Sequence, residues 1–174
     1  MRAGVRMGAW CQRARLRSRA FPPPALRRPP PARMSRAMPG FDVHVRDAIA
    51  DVPASEWDRL CAHEPARATP FLQHAWLDAL ERSGAVAART GWVPRHLTLR
   101  RAGRLVAAAP AYARSDSDGD FGRDWAWAEA AARAGIPYSP KLVLGVPFTP
   151  VTGRRVLVAE GEDREAAVRA VVDG

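Results

Sequence analysis

The run GIPYSPKLVLGVPFTPVTGRRVLV, residues 135–158, restricts the fold more than any other stretch of this chain. Val143, Leu144, Val146 and Phe148 have strand character, yet Pro140, Pro147 and Pro150 each remove a backbone donor from any ladder they would join. Donors alternate in direction along a strand, so Pro147 and Pro150 point their missing N–H positions toward opposite neighbours. A central strand paired on both flanks would lose a bond on each side, which sheets avoid. Two solutions remain. The strand parts from a neighbour or bulges near residues 147–150, leaving backbone groups free for an extended ligand. Alternatively, it is an edge strand that runs into a loop.

Upstream the local signals are orderly. FDVHVRD alternates, with Phe41, Val43 and Val45 on one face and Asp42, His44 and Arg46 on the other, which predicts a half-buried strand. Pro53 stands where a helix opens, and ASEWDRLCA then places Trp57, Leu60 and Cys61 at helical spacing. TPFLQHAWLDALERSG predicts one helix, with Thr69 as N-cap, Pro70 in the first turn and Gly84 closing it. Its apolar stripe reads Leu72, Trp76, Ala79 and Leu80; His74, Asp78 and Glu81 fall on the opposite face. RHLTL and RLVAAAPAYA predict two strands around a tight turn at Arg101–Arg104. After the loop SDSDGD, DWAWAEAAARAG predicts a short helix capped by Asp124 and stopped by Gly135, and EDREAAVRAVVDG predicts a last helix. This order gives an α/β (α+β) fold, a mixed central sheet flanked by helices. The stop directly after a helix reads as an incomplete C-terminus.

The formal charge of +9 invites a nucleic-acid reading until it is divided by segment. Residues 1–38 hold ten Arg and no acid, and the remainder holds 17 basic against 18 acidic residues. The basicity therefore belongs to a disordered Arg/Pro-rich tail, with the folded unit at 39–174. A basic nucleic-acid arm, a targeting peptide and upstream sequence outside the natural protein all fit that tail. No stretch in it is long enough to span a membrane. Two cysteines, Cys11 and Cys61, make no disulfide framework, and a reducing cytoplasm is the default expectation.

Four runs, PFLQHAWLDALERSGAV, TGWVPRHL, DWAWAEAAARAGIPYSPKL and VPFTPVTGRRVLV, carry a resemblance. Over roughly residues 50–160 the chain resembles the proteobacterial branch of the GNAT-fold acyltransferase superfamily related to Fem-type peptidoglycan aminoacyltransferases. Members resemble tandem lobes about twice this length, so the resemblance implies an N-terminal lobe whose C-terminal partner lobe is missing. It also implies a splayed sheet holding an acyl donor, acyl-CoA or aminoacyl-tRNA, between diverging strands. The acceptor it implies is an amine-bearing small molecule or a peptidoglycan precursor. The chain departs from the family's Ser-His-Ser-x-Gly-Glu-Tyr segment, reading Ser115, Asp116, Ser117, Asp118, Gly119, Asp120, Phe121, with Asp116 in place of the His.

Acyl transfer to an amine needs a path for the amine proton and donors for the oxyanion. His74 with Asp78 at i+4 is a candidate base and orienter, against a solvated polar face. Asp124 is the second catalytic candidate; with Trp125 and Trp127 it could hold an acceptor ammonium, against a helix cap with core tryptophans. Tyr138 and Lys141, the chain's one lysine, are candidates for binding an anionic group of the substrate, against a plain surface charge. Phe148, Thr149, Thr152 and Gly153 are candidates for lining a donor site, with Arg154 and Arg155 meeting donor phosphates. No Arg/Gln-x-x-Gly-x-Gly/Ala phosphate loop is present, so the cofactor expectation rests on the resemblance. Cys61, His63 and Glu64 imitate metal ligands without a distant partner set, and no metal is expected. A recognition module without turnover is the competing expectation.

Overall fold

The computed structural model describes residues 37–38, 40–63, 69–116 and 124–173; most of the Arg/Pro-rich tail lies outside them. Its strands are β1 (Ala37–Met38), β2 (Phe41–Arg46), β3 (Trp92–Pro94), β4 (His96–Arg101), β5 (Arg104–Ala109), β6 (Ala111–Arg114), β7 (Lys141–Leu144) and β8 (Leu157–Val158). Its α-helices are α1 (Ala54–Ala62), α2 (His74–Arg82), α3 (Trp125–Arg133) and α4 (Arg164–Asp173). The α/β character holds. The single mixed sheet does not: among the described residues there are two sheets, β1-β2-β4-β5-β8 and β3-β6-β7, and every pairing in them is antiparallel.

The first sheet is sandwiched. Phe41, Val43, Leu97, Leu99, Ala107, Ala109 and Val158 pack with Ala167, Ala170 and Val171 of α4. On the other face Leu105, Ala108 and Leu157 meet Ile49, Trp57, Leu60, Leu72 and Leu77. Strand alternation alone would put Val106 on the second face, but the register shifts opposite Leu99 and Arg100. That extra residue lets Val106 and Ala107 both turn toward α4. The β4–β5 turn uses Ala102 at φ 50° and Gly103 at φ 79°, the paired left-handed geometry a two-residue hairpin demands.

The long helix expected over residues 69–84 is broken. Thr69 caps a 3₁₀ turn at Pro70–Leu72, Gln73 is extended (ψ 146°), and α2 restarts at His74. Asp58, reaching from α1, accepts the His74 N–H at 2.8 Å and caps the restart. The break resets the helical phase, so only part of the expected stripe is buried: Leu72 lies in the core and Leu80 packs beside Val86, Trp92 and Tyr112, but Ala79 is exposed. Leu77 is fully buried, Trp76 is 40% exposed, and the supposedly solvated His74 and Glu81 turn inward. Trp76 instead covers Phe71 edge-on at 5.1 Å. The polar groups go in because partners wait there: Ile49 and Val52 offer carbonyls, and His96 offers an N–H.

Besides the helical connection from β2 to β3, three passes of chain cross from one sheet to the other. The first does so at Arg95, between β3 and β4, and the second at Pro110, between β5 and β6. The third carries β7 in the second sheet and β8 in the first. Ala111 pairs with Leu144 and Ala108 with Leu157, so residues 109–110 on one side face 145–156 on the other.

A candidate site where the sheets part

Residues 141–144 are bonded to β6 alone, and β7 then runs out of the sheet. The plainer of the two sequence solutions is therefore the observed one for β7: an edge strand entering a loop. Val146, Pro147, Phe148 and Pro150 belong to no ladder. The last bond is Gly145 N–H to the Pro110 carbonyl, 3.0 Å. Pro110 has no N–H to return, so the ladder cannot continue past it. Order resumes at β8, extended by Ala159 N–H to Val106 O at 2.8 Å.

Between those bonds the backbone N–H groups of Val146, Phe148, Thr149, Val151, Thr152 and Gly153 donate to no described residue. Phe148 adopts φ 58°, a conformation costly for an aromatic residue, and its ring meets Trp92 edge-on at 5.8 Å. The loop borders two concavities. A shallow dimple of only about 10 Å³ is lined by Thr69, Phe71, Val146, Thr149 and Gly153 among others. A wide cleft of about 580 Å³ lies between residues 152–156 and α4, bordered by Arg154, Arg155 and Arg164. Thr149 and Gly153 thus line the dimple and Thr152 and Gly153 the cleft, while Phe148 lines neither.

The other predicted residues separate into groups. Asp124, Tyr138 and Lys141 are brought together: the Tyr138 hydroxyl donates to Asp124 Oδ2 at 2.9 Å, and Lys141 Nζ bonds the same oxygen. That carboxylate holds the Tyr138 hydroxyl above its ordinary pKa by accepting a hydrogen bond from its protonated form. Asp124 occupies the N-cap position of α3 but makes no capping bond with its side chain. Trp125 and Trp127 are 58% and 72% exposed, neither core residues nor pocket walls. His74 commits Nε2 to the carbonyls of Ile49 and Val52, both at 3.0 Å, so that nitrogen carries its proton. Its expected orienter Asp78 pairs with Arg82. Cys61 is buried with Sγ on the Leu72 carbonyl, and burial pushes its thiol up to about 11. Glu64 and residues 117–123 lie outside the described residues.

The sequence reading missed a buried polar chain at the seam. Ala111 N–H donates to His96 Nδ1 (3.3 Å), which places the ring proton on Nε2, and that N–H donates to Glu81 Oε1 (2.8 Å). Glu81 Oε2 accepts the Ile49 N–H at 3.0 Å. His96 is fully buried between Trp57 and Tyr112, ring centroids 6.0 and 5.0 Å away. Burial, with Glu81 nearby, drives the Tyr112 hydroxyl far above its usual pKa. The available signal was alternation: His96 and Thr98 interleave with Leu97 and Leu99, so they face the helices opposite α4. Beside them Arg114, also buried, stacks 4.5 Å over Trp92 and pairs with Asp116 at 3.0 Å. Asp116, which stands where the resembled family has His, is thus joined to a structural arginine.

A family model described as FemAB-like, peptidoglycan biosynthesis/recognition, matches residues 48–174. No curated protein and no solved structure matches the chain.

Proposed function

Because the chain belongs to the FemAB-like family of peptidoglycan biosynthesis and recognition, we propose that it serves acyl or aminoacyl transfer to an amine on a peptidoglycan precursor. In this reading the fold is of the GNAT type, and the acyl donor, acyl-CoA or aminoacyl-tRNA, lies along residues 145–153. One observation carries it: a strand pair that parts over residues 145–156, leaving N–H groups without a described partner along a shallow surface depression. Such amides can grip an extended donor arm as an added strand would, and can face an oxyanion as the carbonyl is attacked. Thr149 and Gly153 border this stretch, and Gly153 leaves room for close approach. The Asp124–Tyr138–Lys141 group is a second polar focus suited to hold an acceptor's charged end. A cytoplasmic location belongs to the same proposal; no helix among the described residues is long and apolar enough to cross a membrane.

Recognition without turnover is the second reading, and one observation favours it. Neither the dimple nor the cleft is lined by a His, Asp, Glu, Cys or Lys that could take the amine proton. Incubation with acyl-CoA or charged tRNA and a precursor carrying a free amine, followed by mass spectrometry, separates the two. A mass increase on the acceptor supports transfer. Precursor binding without any mass change with either donor supports recognition alone and ends the transfer reading.

A further inference from the structure

We propose that the free edge of β7 pairs antiparallel with β7 of a second copy of this chain, making a two-fold dimer that sets the partner's Lys141 across from Gly145. Ala111 donates its N–H to His96 and accepts the Arg95 N–H at 2.8 Å, so its backbone turns away from β7 although Leu144 stands opposite. The ladder bonds to β6 therefore fall on Lys141 and Val143, and the N–H and C=O groups of Leu142 and Leu144 point outward. Those groups bond no described residue. Pro140, the next outward position, has no N–H, and the chain leaves the sheet at Gly145. The open edge is thus confined to Leu142 and Leu144.

So short an edge suits its own copy. With the two-fold axis at Val143, Leu142 faces the partner's Leu144 and Leu144 faces the partner's Leu142, and each contact is made twice. A longer foreign strand would gain no further bond past Pro140. The Leu142 side chain, 55% exposed, is then covered by leucine. A lysine can guard an edge against such pairing, but Asp124 holds the Nζ of Lys141. Beside the edge, α3 has nine residues and none of them buried, where an isolated helix needs about 12–15 to persist in water. Asp124, bonded to Tyr138 and Lys141, pins that helix to the start of β7. Ile136 is open as well, at 62%. A two-residue step sets Trp125 and Trp127 on opposite shoulders of α3, so one partner covers one of them. That ring with Ile136 and Leu142 offers roughly 400 Å² of apolar surface. A standard interface takes about 800 Å² from each partner, so the dimer is a weak one, with a dissociation constant of about 1–100 µM.

The dimer stands apart from the transfer reading, and one consequence rests on that reading. Within a copy, Gly145 lies ~13 Å along the strand from Lys141. Across the dimer the partner's Lys141 is directly opposite Gly145, Cα atoms ~4.5 Å apart. The Asp124–Tyr138–Lys141 group of one copy therefore adjoins the parted loop of the other. Association is measured without any transfer step, so the two fail separately. Sedimentation velocity of the full chain from about 1 to 200 µM, with reductant so that Cys11 forms no disulfide, should show the mass rising from one chain to two. Leu142→Pro removes an outward N–H that bonds nothing within the described chain, so it should keep the fold and weaken association about tenfold or more. Should that variant fail to fold, Leu142→Lys takes its place, setting a charge beside the partner's Leu144. Val172→Lys, at a 70% exposed position on α4, should leave association unchanged. A chain that stays monomeric to about 200 µM leaves the edge to a peptide or a lipid surface and overturns the proposal. So does a dimer that the Leu142 variant leaves intact, or one that Val172→Lys weakens equally.

Discussion

Replacing Glu81 tests the seam between the sheets most directly. Its two carboxylate oxygens serve two donors, His96 Nε2–H and Ile49 N–H, on segments remote in sequence. Glu81→Ala leaves both donors without an acceptor, and His96 is fully buried, so no rotation finds it another. An unsatisfied buried donor costs about 1–3 kcal/mol. The Glu81 side chain is 12% exposed, so water can reach the vacated space and the lower half of that range applies. The expected loss is about 3 kcal/mol, or roughly 6–12 °C in Tm for a chain of this size. Glu81→Gln keeps one carbonyl oxygen but points an NH₂ at the second donor, so it should lose about half as much. Urea unfolding followed by tryptophan fluorescence measures both, with the slope m unchanged if only the native state is altered. A loss below about 1 kcal/mol for Glu81→Ala, or a Gln variant as damaged as the Ala variant, would refute the donor and acceptor assignment.

Three further outcomes follow from the same geometry. Ala102→Asn should stabilise the chain by about 0.5–1 kcal/mol in urea unfolding, because Asn tolerates the left-handed turn position that Ala102 occupies. Trp57→Phe removes the bond from Nε1 to the Leu72 carbonyl at 2.8 Å and should cost about 1–3 kcal/mol, read the same way. The Cys61 thiol, raised from 9.0 to about 11 by burial, favours the folded state while neutral. That contribution is complete below pH 9 and is lost as pH climbs from 9 to about 11, so stability should fall less over this window in Cys61→Ala than in the unmodified chain. In a Cys11→Ser background, native Cys61 should accordingly resist a thiol reagent at pH 8 until the chain is unfolded.

Much of the fold was legible because the governing signals are local. Alternation in residues 41–46, the Arg101–Arg104 turn and the span of α3 depend on neighbours close in sequence. The phase of α2 was not legible, because two remote facts decide it. Asp58 caps a restart after Gln73, and His96 meets Glu81 from the far end of a strand. The prolines correctly marked the place where pairing stops, but they could not say whether one sheet bulged or two sheets separated. That answer came from Pro110, on the opposite strand. Within the candidate site, Asp124, Tyr138 and Lys141 do converge, and Thr149, Thr152 and Gly153 border open space. His74 faces the interior for the same reason the helix phase was misread.

The mismatch of residues 145–156 against 109–110 has an engineering consequence. Each end of the excursion is anchored by its own ladder, Leu144 on Ala111 and Leu157 on Ala108. Adding or deleting residues inside it changes closure entropy only with the logarithm of its length. Neither anchor needs to slide by a rung when that happens. A change of length there therefore leaves the surrounding architecture with its pairing frame intact.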